Sequence, residues 1–150
     1  MMMESALETL KAMRDGSREL PPIYDLLQIS VIDATEGEVK LQLTPHDGLR
    51  SPIGLVAGGV IATILDTTLA WACSTCVPSD KVCTTVELKV NFLRPISVTD
   101  GPLVATGRTV HRGNRILVAT AELSQSSADG TRLIQCAIAT GTCMAVQAPS

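Results

Sequence analysis

Gly54-Leu55-Val56-Ala57-Gly58-Gly59-Val60-Ile61-Ala62-Thr63-Ile64-Leu65-Asp66-Thr67-Thr68-Leu69-Ala70-Trp71-Ala72 is the stretch whose reading decides the fold. Its apolar residues run almost all the way round a helical wheel, which predicts a helix buried on most sides. One narrow stripe breaks the pattern. Gly59, Thr63, Asp66, Thr67 and Ala70 share a face at the i, i+4, i+7, i+8, i+11 spacing. A carboxylate in so apolar a segment is costly unless it is paired or used. Gly58 and Gly59 open the helix, and their bare alpha carbons leave its first amide N–H groups approachable. A partly positive helix end and a carboxylate two turns on suit polarising a carbonyl and attacking it.

The flanking sequence reads as strand on both sides. Glu38 to Thr44 alternates, with Val39, Leu41 and Leu43 on one face; Gln28 to Ala34 precedes it across Thr35-Glu36-Gly37. Upstream, Met1 to Met13 is weakly amphipathic and closed by Asp15-Gly16-Ser17, and Ile23 to Leu27 fits one turn of helix after Pro21-Pro22. Pro45 to Pro52 is a loop, and the central helix should end near Pro78-Ser79-Asp80. Beyond it, Cys83 to Leu93 alternates Val86, Leu88, Val90 and Phe92 against Thr85, Glu87, Lys89 and Asn91. Leu103 to Val110, Ile116 to Ser124 and Leu133 to Cys143 are three more strands, parted by His111-Arg112-Gly113-Asn114 and Ala128-Asp129-Gly130. Two strands, one apolar helix and four strands predict an α+β domain whose antiparallel sheet wraps the helix. The expected organisation is an N-terminal helical segment over 1–25 and the main domain over 26–145.

Composition sets bounds on function. With 150 residues the chain fits one domain, and 2 % aromatics leave Val, Ile, Leu and Ala to build the core. A net charge of −3 argues against a nucleic-acid surface. Asp66 interrupts the longest apolar run before it reaches the roughly 18 residues of a membrane span. The N-terminus has no basic leader followed by an apolar run, so a cytoplasmic location is expected. The odd number of cysteines then reads as reduced thiols. Cys73-x-x-Cys76 has no second ligand pair and is expected to be core rather than a metal or redox site. His46 and His111 fall in turns and should be solvated. No nucleophile-elbow sequence is present.

Three motifs resemble those of one family. Gly54 to Asp66 is similar to the G-x-x-H-G-G-x-x-x-x-L-x-D motif of the hotdog-fold acyl-CoA thioesterases of the phenylacetate-degradation and hydroxybenzoyl-CoA type. Thr85 to Pro95 looks like that family's strand ending in F-L-R-P, and Gly107 to Arg115 like its G-R-x-x-x-x-G-[RK] hairpin. The likeness runs from about residue 26 to 144. It implies a hotdog fold, an acyl-CoA substrate and no cofactor or metal. It also implies that Asp66 is base or nucleophile and that the Gly58 N–H polarises the thioester. Thr85 matches the family's strand hydroxyl. Two positions depart: Ala57 stands where the family has histidine, and Ser51 where asparagine is often found.

Spacing adds an independent expectation. Eight residues of helix separate Gly58 from Asp66, about 12 Å at 1.5 Å per residue. Both groups must come within about 3 Å of one reacting centre. A two-fold pair of antiparallel helices achieves this, and the resemblance implies the same homodimer, usually doubled into a homotetramer. Gly59 and Thr67 are expected to line the substrate site. Asn114 is a further substrate-binding candidate, and Arg94, Arg112 and Arg115 are candidates for the coenzyme phosphates. The rival readings are a non-catalytic acyl-CoA-binding protein of the same fold, and a hydratase or dehydratase whose histidine is absent here.

Overall fold

The computed structural model describes residues 3–149. In chain order it contains helices α1 (Ala6–Asp15) and α2 (Pro22–Leu27), strands β1 (Ile29–Thr35) and β2 (Glu38–Leu43), and helix α3 (Gly58–Ser74). Strands β3 (Lys81–Phe92), β4 (Leu103–Arg112), β5 (Ile116–Ser126) and β6 (Leu133–Gln147) follow. The first two residues of the helix expected over 1–13 lie outside the described residues. Within them α1 starts one residue after Ser5, whose side chain accepts the Glu8 N–H at 3.2 Å while Glu8 Oε2 accepts the Ser5 N–H at 2.9 Å. This reciprocal pair satisfies amides the helix itself cannot. Leu10 and Met13 of α1 and Tyr24 and Leu27 of α2 join the same core as the sheet.

All strand pairings are antiparallel, in the order β1-β2-β4-β5-β6-β3. The sheet curls round α3, which packs on every strand from β2 to β6. This is the hotdog arrangement. Val39, Leu41 and Leu43 of β2 are fully buried, as their alternation requires. Helix α3 stops at Ser74, short of Pro78. It is also less enclosed than its apolar wheel suggests. Ile61, Ile64, Leu65, Leu69 and Ala72 are buried under the sheet, while Val60, Ala62, Asp66, Thr67 and Ala70 remain half-buried and Gly58 and Gly59 exposed.

The helix sits on the sheet at hydrogen-atom distance. A Cβ at Gly107 on β4 would lie 2.8 Å from the backbone oxygen of Thr68, and one at Gly141 on β6 would lie 2.7 Å from Leu69 Cδ1. Flexible Leu69 can yield; the backbone of a buried helix cannot without moving the helix. Strand β3 departs from simple alternation. Thr85 pairs with Cys143 but Glu87 pairs with Thr142, so Val86 is an extra, bulged residue. The bulge puts Thr85 on the helix-facing side with Leu88 and Val90, whereas the sequence pattern had set Thr85 opposite them. Val86 is turned outward, 53 % exposed.

Gly107→Ala forces the α3 backbone off the sheet and is expected to lower the unfolding free energy by about 1–3 kcal/mol, the usual cost of overpacking. Urea denaturation measures it, and a wild-type midpoint would refute the close approach.

Candidate active site

The start of α3 is aimed by the loop before it. Arg50 and Val56 form an isolated antiparallel bridge, Ser51 N–H donates to Leu55 O at 2.7 Å, and Gly54 N–H donates to Ser51 O at 2.9 Å. Gly54 closes this turn at φ +85°, a conformation that favours glycine. Val56 N–H then donates to Ile96 O at 3.0 Å and Ala57 N–H to Leu49 O at 2.9 Å, which ties both sides of the loop to the domain. Ala57 is the N-cap residue and offers no side-chain acceptor. The first amides of α3 therefore lack the cap that Ser, Thr, Asp or Asn would provide.

Gly58 opens into a mainly apolar groove of about 520 Å³ that also includes Ser51, Leu55, Ile61, Phe92 and Arg94. The Phe92 ring lies over Gly58, with Cζ 3.4 Å from where a Cβ would stand. Ser51 Oγ is buried there without a hydrogen-bond partner. Gly59, exposed at the same helix end, has nothing within 4 Å of its Cβ position.

Asp66 lies in a different groove. Thr67, Ala70, Trp71 and Ser74 of α3 line it with Asp66, and Val82, Cys83, Thr84 and Thr85 of β3 form the facing wall, enclosing about 440 Å³. Thr63 and Thr67 could have capped the carboxylate as a purely structural group. Thr63 instead donates to Gly59 O at 2.8 Å, and Asp66 Oδ1 is buried with no hydrogen-bond partner. A buried carboxylate oxygen without a protein donor is costly, which marks Asp66 as a candidate functional group. The bulge at Val86 brings Thr85 to this wall, where its hydroxyl is 3.9 Å from Cys143 Sγ.

The expected site residues thus fall into two sets along one helix, Gly58, Ser51 and Arg94 in one groove and Asp66, Thr67 and Thr85 in the other. The hairpin cations stand apart from Arg94. Arg112 Nη2 is 3.0 Å from where a Gly37 Cβ would stand, a point 3.6 Å from Cys76 Sγ just past the C-terminal end of α3. It pairs with Glu36 at 3.3 Å. Arg115 reaches Met144 Sδ at 3.9 Å, and Asn114 is exposed in the turn between them. Arg94 lines the Gly58 groove at the other end, roughly 25 Å away by the length of a 17-residue helix. Within one chain these cations do not converge.

All five cysteines are free. The side-chain hydrogen bond with Cys143, then burial, push the Cys73 thiol up; the same hydrogen bond draws Cys143 down. Both are inaccessible in the core. Cys83 lines the Asp66 groove but is pushed up to about 11, chiefly by burial, so it is a protonated thiol at neutral pH. No group of three metal-ligating side chains occurs among the described residues. His46, expected to be solvated, accepts the Gly48 N–H on Nδ1 at 3.2 Å and has a buried Nε2. Its ring caps the short turn Asp47–Leu49.

Sequence reading missed the aromatic residues. The chain has one Trp, one Tyr and one Phe. Phe92 lies over Gly58, Trp71 walls the Asp66 groove, and Tyr24 OH accepts the Trp71 Nε1–H at 2.6 Å. Their rarity in an aliphatic chain was the available signal.

A six-stranded antiparallel sheet curled round one long helix is the fold of one family. The family model described as the Thioesterase superfamily matches residues 53–129, and the chain belongs to that family. A protein of Saccharolobus solfataricus that bears the name putative esterase is 30 % identical over 120 residues, 80 % of this chain and 75 % of its own. A thioesterase family protein from Silicibacter pomeroyi superposes with a TM-score of 0.82 at 25 % identity, covering 93 % of this chain and 99 % of its own. A protein from Ralstonia eutropha, described as a putative thioesterase related to phenylacetic acid degradation, gives 0.75 at 27 % identity over 90 % and 98 %.

Proposed function

We propose that this protein is an acyl-CoA thioesterase that hydrolyses its substrate to a free acid and coenzyme A. The observation that carries this reading is Asp66, whose Oδ1 is buried without a donor in a groove beside Thr85. Asp66 activates water or attacks the thioester carbon itself. The Gly58 N–H, at the positive end of α3, donates to the carbonyl oxygen as negative charge develops on it. The acyl carbon gains oxygen from water, the C–S bond breaks, and the leaving sulfur ends as the coenzyme thiol. Thr85 holds the attacking group in line. Esterase and thioesterase relatives, one described as phenylacetic-acid-related, support this chemistry.

Each site is shared between two subunits of a homodimer, Gly58 from one and Asp66 from the other. The supporting observations are the two separate grooves, the half-open face of α3 and the edge strand β3, which exposes Val86 and Phe92. Antiparallel helices also bring Arg94 of one subunit to the helix end that carries Arg112, Asn114 and Arg115 in the other. The coenzyme phosphates are then held from both chains, and two such dimers can form a tetramer. Ala57 and Ser51, in place of larger polar groups, favour one alternative, a protein that binds acyl-CoA without turning it over. Chromatography of products from an acyl-CoA panel separates the two.

Asp66→Asn keeps the side-chain shape and removes the charge. Hydrolysis is expected to fall by roughly a hundredfold or more, as for loss of a base or nucleophile, while the melting temperature holds or rises. Wild-type turnover in this variant contradicts the assignment. Ala57→His supplies a polar group at the uncapped helix start. It should raise kcat by about tenfold, the scale of one transition-state hydrogen bond of ~1.4 kcal/mol, with acyl-CoA affinity within a few-fold. Flat or lower turnover would mean the site is built around alanine.

A further inference from the structure

One wall of the Asp66 groove is an indole held by a buried partner. Trp71 lies five residues beyond Asp66, about 7.5 Å along the helix axis. Its Nε1–H donates to Tyr24 OH at 2.6 Å. Tyr24 is 3 % exposed, on a helix whose Leu27 is also core, so this anchor does not move with the solvent. Burial pushes the Tyr24 phenol up to about 12, which keeps it a neutral hydroxyl at working pH.

Trp71 has a second neighbour space. Besides the Asp66 groove it borders a separate, open cleft of about 620 Å³ along the N-terminal segment, lined by Met13, Arg18, Leu20 and Pro21 among others. Among the described residues, Trp71 alone is common to the linings of both spaces. Thr67 and Thr85 line the groove in front of it with hydroxyl side chains, while Ser74 Oγ accepts the Cys83 N–H at 2.9 Å. A long alkyl chain laid there would take those hydroxyls out of water without replacing their hydrogen bonds. A compact acyl group would not extend that far.

We propose that Trp71, held by Tyr24, is the wall that ends the acyl pocket and restricts this protein to compact acyl groups. The proposal rests on the thioesterase reading for the position of the acyl group, which starts at Asp66 and runs toward Trp71. Trp71 is a specificity residue and takes no part in bond breaking. Trp71→Ala removes the side chain that separates the groove from this cleft. Tyr24→Phe keeps both rings and releases the indole from its anchor.

Two measurements test this. First, kcat/KM is determined for a straight-chain acyl-CoA series from acetyl to palmitoyl in wild type, Trp71→Ala and Tyr24→Phe. Wild type should fall off beyond the shorter members. Trp71→Ala should gain at least tenfold for long chains relative to acetyl, and Tyr24→Phe should gain less. An equal loss at every length in Trp71→Ala overturns the proposal. Second, Trp71 is the sole tryptophan, so wild-type emission reports on this wall without any substitution. Non-hydrolysable thioether analogues of short acyl-CoAs should shift the emission, and coenzyme A alone should not. Identical spectra with both overturn the wall assignment. Absence of turnover in wild type with an emission shift intact refutes the thioesterase reading and leaves the pocket standing.

Discussion

A helix is a ruler, and α3 fixes how far apart its own groups stand. Gly58 and Asp66 are fixed on α3 about 12 Å apart by a rise of 1.5 Å per residue. No side-chain rotation closes that gap, because one group is a backbone amide and the other a short carboxylate. In the proposed dimer, two such helices, antiparallel about a two-fold axis, bring amide and carboxylate together twice. The rest of the chain is arranged to hold this ruler straight and leave one of its faces free.

The sheet does the holding. Gly107 and Gly141 let β4 and β6 approach α3 to hydrogen-atom distance, and Ile64, Leu65 and Leu69 are fully buried in the curl. The loop from Arg50 to Ala57 sets where the helix begins, through the Gly54 turn and the bonds to Leu49 and Ile96. Only then do the exposed amides of the first turn face a groove. The three aromatics finish the site, Phe92 over Gly58 and the Trp71–Tyr24 pair at the far side of Asp66. Aliphatic side chains suffice to build the core; planar, rigid rings are kept for the grooves.

Strand number, the helix and the antiparallel wrap were legible in the sequence because each rests on hydrophobic period. Val39, Leu41 and Leu43 announced β2, and the apolar wheel announced α3. The orientation of Thr85 was not legible, since a bulge at Val86 leaves no trace in an alternation pattern that reads smoothly through it. The open face of α3 was hidden for a related reason. Periodicity reports that Val60 and Ala62 avoid water but not whether their own chain covers them. The separation of Arg94 from Arg112 and Arg115 was not legible either, because sequence gives charge without the roughly 25 Å of helix between them. His46 was misread because the pairing of Nδ1 with Gly48 N–H depends on a three-residue turn that no motif marks.

The central claim is that one catalytic centre needs two chains, and subunit mixing tests it most directly. Asp66→Asn removes the carboxylate, and Gly58→Pro removes the donor N–H at a first-turn position where proline is well tolerated. Each variant alone should be inactive on acyl-CoA. In a mixed dimer, Gly58 of the first variant meets Asp66 of the second, so one of its two sites is whole. Activity in isolated hybrid dimers should recover toward half that of the wild-type dimer. Inactive hybrids whose exchange is verified by native mass spectrometry, or a fully active monomer, would contradict the account.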